Sequence, residues 1–248
     1  TVDRVAGWAS NGLVQGWDQK KVSLDSYLPG LADGAAGEAA TINGQRMIVP
    51  SVWGTEAITY NTKDVQPAGG IPSLGDLFDP KYKGKIAWNS TASSSAGPGF
   101  VGVVLASMGE EKGMAYLTKL RDQRVKSVNA SARAVLDQVI AGEYPIVLQI
   151  FNHHSALSAK KGAPSQWLKL EPVMVQTELH AIMSAAPHPN AAKLFIDFVL
   201  SPQGQAIIRD GRHIPASDAV DALEPDLKKG FRVNYVSPVV AAARMAAW

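Results

Sequence analysis

The sequence predicts an α/β fold, and two strand-to-helix junctions with a capped helix between them carry that prediction. Pro145-Ile146-Val147-Leu148-Gln149-Ile150-Phe151 is a β-branched apolar run that reads as a buried strand. It ends on Asn152, His153 and His154, and a helix-compatible stretch over 155–161 follows, stopped by Gly162 and Pro164. Residues 85–89 form the second strand, followed by a loop rich in serine and the apolar stretch 100–108. Between them, Asn129-Ala130-Ser131 caps a helix striped with Val135, Leu136, Val139 and Ile140 and ended by Gly142. In an open, mostly parallel α/β sheet, ligands sit at the carboxyl ends of strands, where loops feed helices. An amide followed by two imidazoles at such a place is a candidate binding site.

The remaining elements follow in chain order. Residues 8–17 read as a short helix running into a loop, and 29–40 as a surface connection rich in Gly and Ala. Asn43-Gly44 between Thr41-Ile42 and residues 46–49 is a hairpin signal. Residues 52–61 alternate as a strand, within which Gly54 suggests a bulge or a close backbone approach by another group. Pro67, Gly69-Gly70, Pro72 and Pro80 mark a loop with one helical turn over 73–78. A helix over 110–121 places Met114, Leu117 and Leu120 on one face. Residues 171–184 read as two short strands, and 191–200 as an amphipathic helix with Leu194, Phe195, Phe198 and Val199 inward. Ser201-Pro202 restarts a helix that Gly211 closes, and Ser237-Pro238 repeats the signal ahead of a helix over 239–248.

Composition bounds the function classes. At 248 residues the chain suffices for one large domain or two modest lobes, and 46% apolar with 19% charged residues is ordinary for a globular protein. Basic and acidic residues, 24 against 22, leave a net charge of +2 with no basic stripe, which gives no case for nucleic acid. The chain has no cysteine, which excludes thiol catalysis, disulfides and Cys-ligated zinc. No apolar run approaches the length of a membrane span. Thr1-Val2-Asp3-Arg4 carries no signal-peptide pattern, so the chain is read as cytoplasmic or as already processed or trimmed.

Catalytic motifs are lacking. There is no HExxH, GxSxG or Walker loop. Adjacent residues on a helix point about 100° apart, so His153-His154 makes a weak metal pair. Ser93, Ser94 and Ser95 have no neighbouring histidine and cannot be assigned as nucleophiles. They sit instead between a strand and a helix, where hydroxyls and free N–H groups suit an anion. Ser131 and Arg133 occupy a second such position, at the positive end of a helix dipole.

Several segments together resemble a known family. They are residues 52–61, LGDLFDPKYKGKIAW (74–88), the serine-rich loop, AVLDQVIAGEYPI (134–146) and PHPNAAKLFIDFVLSPQGQ (187–205) followed by Ile214-Pro215. The chain resembles type II periplasmic solute-binding proteins of ABC importers, in the branch of ferric-iron, polyamine, phosphonate and sugar-phosphate binders. The resemblance implies an α/β, two-lobed fold with hinge strands and an incomplete N-terminal lobe. Residues 1–58 and 178–225 would form lobe one, and 59–177 with 226–248 lobe two. It implies a periplasmic, monomeric, non-enzymatic receptor that needs no cofactor and passes a small polar solute to a membrane permease. The expected contacts are Trp53, Gly54 and Thr55 at the hinge, Ser93, Ser94 and Ser95, Ser131 and Arg133, and Asn152, His153 and His154. This donor-rich, carboxylate-poor set suits an anion better than a polyamine. Ferric binders of the branch carry a tyrosine pair where His153 and His154 stand here, and imidazole suits later divalent metals better than Fe(III). Three alternatives stay open: a metal-ion binder of the same family, the effector-sensing domain of a transcription regulator, and a metal-dependent enzyme using His153, His154 and His180.

Overall fold

The computed structural model describes residues 8, 11–16, 41–42, 45–46, 48–65, 73–90, 99–170 and 173–235. The serine-rich loop and the expected C-terminal helix lie outside them. The chain divides into two compact units. One draws on Thr1–Gly54 and Gln176–Lys229, the other on Thr55–Val175 and Gly230–Asn234.

The chain begins with strands β1 (Val14–Gln15), β2 (Thr41–Ile42), β3 (Gln45–Arg46) and β4 (Ile48–Asn61). β2 and β3 pair antiparallel with Ile42 opposite Gln45, as the hairpin signal requires, although Asn43-Gly44 is not among the described residues. Next come β5 (Ile86–Asn89), α1 (Gly99–Met108), α2 (Glu110–Arg121), β6 (Lys126–Val128), α3 (Ala132–Ile140), β7 (Ile146–Phe151) and α4 (Asn152–Lys160). The chain continues through β8 (Ser165–Leu168), β9 (Val173–Met183), α5 (Pro189–Leu200), α6 (Pro202–Asp210), β10 (Ile214–Pro215) and β11 (Val233–Tyr235). The passage from one unit to the other falls inside β4, between Gly54 and Thr55, and inside β9, between Val175 and Gln176.

In the second unit, β5 lies between β6 and β7 and runs parallel to both, with Ala87 opposite Lys126 and Val147. β7 pairs antiparallel with β4, which also pairs with β8. Strands covered on both faces read as unbroken apolar runs, and β7 does. Ile146 and Leu148 pack with Ile86, Leu77, Tyr82, Phe100, Val104 and Tyr116 in one cluster. Val147 and Ile150 pack with Ala87, Val135, Leu136 and Val139 in another. Ile150 breaks the alternation because β7 holds one extra residue: Ala57 faces Ile150 while Thr59 faces Val147. Of the two readings of Gly54, the bulge is found instead in β7, where it turns Gln149 toward the first cluster. α1 and α2 pack closely at Gly113, where a Cβ would lie 2.8 Å from Leu105 Cδ2. Of the expected face, Leu120 is buried and Leu117 packs against the core, while Met114 is exposed and Tyr116 joins the core.

In the first unit, β1 pairs antiparallel with β9 and β10 with β4, Ile214 opposite Trp53. Val49, Ile182, Ile196, Leu200 and Ala216 form the core. The inward face of α5 differs from the expectation: Leu194, Phe195 and Phe198 are 67%, 57% and 43% exposed, while Ile196 and Leu200 are buried. Nearly every residue from 194 to 200 is apolar, so periodicity alone could not choose the face. Residues 171–184 also yield one strand, not two: β9 runs uninterrupted through 11 residues.

The junction between α5 and α6 explains the PQGQ motif. Ser201 caps α6, its Oγ accepting from the Gly204 N–H at 3.1 Å, and Pro202 opens the helix. Gly204 approaches the end of α5 so closely that a Cβ would meet the Phe198 carbonyl oxygen at 2.1 Å. Gln205 is fully buried; its Nε2 donates to the Ser51 and Val199 carbonyls at 3.1 and 3.0 Å, and its Oε1 accepts from the Ser217 N–H at 3.1 Å.

Candidate functional site

Because β6, β5 and β7 are parallel neighbours, their carboxyl ends share one edge of the second unit. Each strand feeds a helix from that edge: β5 leads to α1, β6 to α3 and β7 directly to α4. The strand ends that lead into the three junctions read from the sequence are thus neighbours. Ser90 marks the edge by donating its N–H to the Val128 carbonyl at 3.0 Å. Ser93, Ser94 and Ser95 belong to the β5–α1 connection but lie outside the described residues.

β7 passes into α4 without a loop, since Phe151 is already the residue preceding the helix and Asn152 its first turn. The helix read over 155–161 therefore starts three residues earlier, which puts Asn152, His153 and His154 at its N-terminal end. Asn152 and His153 are buried, and His154 is half-buried. Phe151 and His153 stack with centroids 5.6 Å apart at 29°, and His154 meets both edge-on, at 5.6 Å from Phe151 and 4.5 Å from His153.

Ser131 caps α3, its Oγ accepting from the Ala134 N–H at 3.2 Å. Arg133, in the first turn of α3, donates to Asp137 at 2.7 Å and to Ser158 Oγ at 2.8 Å. Ser158 Oγ in turn donates to the His154 carbonyl at 2.9 Å, so Arg133 ties the first turn of α3 to α4. Sequence reasoning missed Gln149. Its Oε1 accepts from Trp88 Nε1 at 3.1 Å and from the Phe100 N–H at 3.3 Å, which fixes the start of α1 against β7. A lone polar residue inside an apolar strand was the signal for it. Glu56 was missed as well: register puts it opposite Phe151, at the same edge.

Trp53, Gly54 and Thr55 lie where β4 leaves the first unit, and all three are buried. Trp53 carries a cation against its ring: Lys228 Nζ stands 5.6 Å from the centroid. The Lys228 side chain is 3% exposed, donates to the Ser217 carbonyl at 2.6 Å and pairs with Asp218 at 3.3 Å. Burial pushes its ammonium below the usual lysine range, with Asp218 opposing the shift. In sequence this residue is part of an ordinary charged stretch.

A cavity of about 550 Å³ opens at the other end of the second unit's strands, lined by Asp64, Val65, Lys81, Tyr82, Lys85, Gly142 and Pro145. Lys85 and Pro145 precede β5 and β7, so this is the amino edge, which no helix start faces in these connections. The carboxyl edge is chemically the better site. Among the described residues no group of three or more His, Cys, Asp or Glu is placed to hold a metal ion. His180 lies in β9 of the first unit, edge-on to Phe195 at 6.2 Å, and burial lowers its pKa.

No curated protein sequence matches the chain. Solved structures do. The periplasmic binding protein P5PA is similar over 100% of this chain and 78% of its own, with 20% identity and a TM-score of 0.79. AfuA from Actinobacillus pleuropneumoniae, a periplasmic binding protein with fructose-6-phosphate bound, matches over 100% of this chain and 77% of its own, at 21% identity and a TM-score of 0.79. Iron-bound HitA from Pseudomonas aeruginosa matches over 99% and 78%, at 20% identity and a TM-score of 0.71. These likenesses establish the type II periplasmic-binding-protein fold that the resemblance implied. The family model for bacterial extracellular solute-binding proteins matches residues 5–237. With the fold and the family match in agreement, the chain belongs to the bacterial extracellular solute-binding protein family, the solute receptors of ABC importers.

Proposed function

We propose that this chain is a non-catalytic, periplasmic, monomeric receptor that captures a small anionic solute at the carboxyl edge of β6, β5 and β7. One observation carries the reading: α1, α3 and α4 all begin on that edge. Helix starts present N–H groups without intrahelical partners and the positive end of a dipole, and three of them attract an anion more than one does. Arg133 stands in the first turn of α3, its guanidinium paired with Asp137 at 2.7 Å, so the charge it offers there is partly offset. Two of the five N–H donors of its guanidinium are engaged, at Ser158 and Asp137. The fructose-6-phosphate held by AfuA makes a phosphate ester a natural class to test. The macromolecular partner is a membrane permease, and nucleic acid plays no part. Glu56 favours a second reading, in which the solute carries an amine as well or is a cation outright.

Isothermal titration with inorganic phosphate, fructose 6-phosphate and spermidine tests the proposal. The phosphate ester binds, and Arg133→Gln weakens it about tenfold or more, the range of a charge-assisted hydrogen bond. Tight binding of spermidine with no response to either anion overturns the anionic reading in favour of the cationic one.

A further inference from the structure

We propose that the cavity at the amino edge of the second unit's strands is a further ligand site, and that it takes a small zwitterion, a free α-amino acid with an apolar side chain. The inference stands apart from anion capture, whose residues lie at the other ends of the same strands. At about 550 Å³ the cavity falls within the range of pockets that enclose small molecules. Its floor is apolar: Val65 and Tyr82 are buried members of the core, and Pro145 adds a third apolar wall.

The walls are fixed by the fold. Asn61 is buried; its N–H donates to the Pro145 carbonyl at 2.9 Å and its Nδ2 to the Val139 carbonyl at 2.8 Å. The Asn61 carbonyl in turn accepts from the Asp64 and Val65 N–H groups at 3.2 and 3.0 Å, which ties the turn carrying Asp64 to β7 and α3. On the approach to β5, the Gly84 N–H donates to the Gln123 carbonyl at 2.7 Å and the Lys85 N–H to the Tyr82 carbonyl at 2.9 Å. Gly142 holds a φ of 82°, and a Cβ there would lie 3.8 Å from Asp64 Oδ2, so the carboxylate stands beside a bare turn.

The charges decide the ligand. Lys81 is engaged: it pairs with Asp79 at 3.0 Å and lies over the Tyr82 ring, 4.8 Å from its centroid. Among the described residues, Lys85 and Asp64 make no ion pair with each other or with any other group. A plain anion is drawn to Lys85 and repelled by Asp64, and a plain cation meets the reverse. A molecule with both charges satisfies both groups, and its apolar part covers Val65, Tyr82 and Pro145.

Amide chemical-shift titration of the whole chain with L-leucine, leucinamide and 4-methylpentanoate tests this. Leucine moves Asp64, Val65, Lys85 and Gly142 saturably, and each analogue, lacking one of the two charges, binds about fivefold more weakly, the upper end for an exposed ion pair. Lys85→Met removes the advantage of leucine over leucinamide and keeps its advantage over 4-methylpentanoate; Asp64→Asn does the opposite. Both side chains are exposed, so neither variant endangers folding. The absence of a saturable shift at these residues overturns the inference, and so does either analogue binding as tightly as leucine. Affinity ratios that neither variant alters overturn it too, since Lys85 and Asp64 then read no charge. Leucine shifts confined to 129–134 and 152–156 have the same force, because they move the amino acid to the carboxyl edge.

Discussion

Replacing Gln205 isolates what holds the first unit together. The side chain is fully buried and makes three hydrogen bonds to backbone groups, at Ser51 on β4, at Val199 near the end of α5 and at Ser217 after β10. Gln205→Leu keeps most of the volume and removes all three bonds. At about 1 kcal/mol net for each bond the loss is about 3 kcal/mol. The Ser51 carbonyl still receives the Ala216 N–H at 3.3 Å, which limits its share. The Ser217 N–H has no such relief and is left buried without its acceptor, so the cost stays at or above that figure. Gln205→Ala adds a cavity and reaches about 4–5 kcal/mol. Thermal unfolding followed by circular dichroism reads these losses as a fall in midpoint of about 2–4 °C for each kcal/mol. A Gln205→Leu midpoint within about 2 °C of the parent refutes the reasoning, because it means the bonds are not the source of the motif's stability.

Two further predictions concern stability. Gly204→Ala forces a Cβ to within 2.1 Å of the Phe198 carbonyl oxygen and 2.7 Å of the Val199 one, both rigid backbone, and costs about 3 kcal/mol or more. Gly113→Ala meets the movable Leu105 Cδ2 first, at 2.8 Å, and costs about 1–2 kcal/mol; the reverse order in urea midpoints contradicts the packing described. Lys228 supplies a pH dependence. Burial lowers its pKa in the folded chain, so just below the usual lysine range the unfolded chain binds more protons and stability rises with pH as that range is approached. Tyr60 and Tyr116, raised by burial, act in the opposite sense, since the unfolded chain loses their protons first. The difference between parent and Lys228→Met isolates the lysine: the parent gains stability relative to the variant as pH rises, and a difference that stays flat contradicts the assignment.

Where one local rule settled an element, the sequence was sufficient. The cap at Ser131, the Ser201-Pro202 start, the helix over 110–121 and the buried strand ending at Phe151 needed no tertiary information, and each stands where its residues put it. What the sequence left open was decided by packing. α5 carries Asn190, Lys193 and Asp197 on one side and apolar residues over the rest, so which of those apolar residues it turns to Val49 and Ile182 is a property of the unit and not of the helix. The bulge fell in β7, whose residues carry no glycine to mark it. Gln149, Glu56 and Lys228 looked ordinary in sequence because their meaning lies in partners far along the chain: Trp88 and Phe100, Phe151, and Trp53 with Ser217 and Asp218. The candidate site was legible as three separate polar junctions, and the parallel order of β6, β5 and β7 is what makes the strand ends leading into them neighbours.

Amide chemical-shift mapping during titration with fructose 6-phosphate addresses anion capture most directly. The largest shifts are expected at the starts of α1, α3 and α4, over residues 99–102, 129–134 and 152–156. Shifts concentrated at Asp64, Lys81, Lys85 and Gly142, around the cavity on the amino edge, with 129–134 and 152–156 unmoved, would show that the solute binds at the wrong end of the strands for this account.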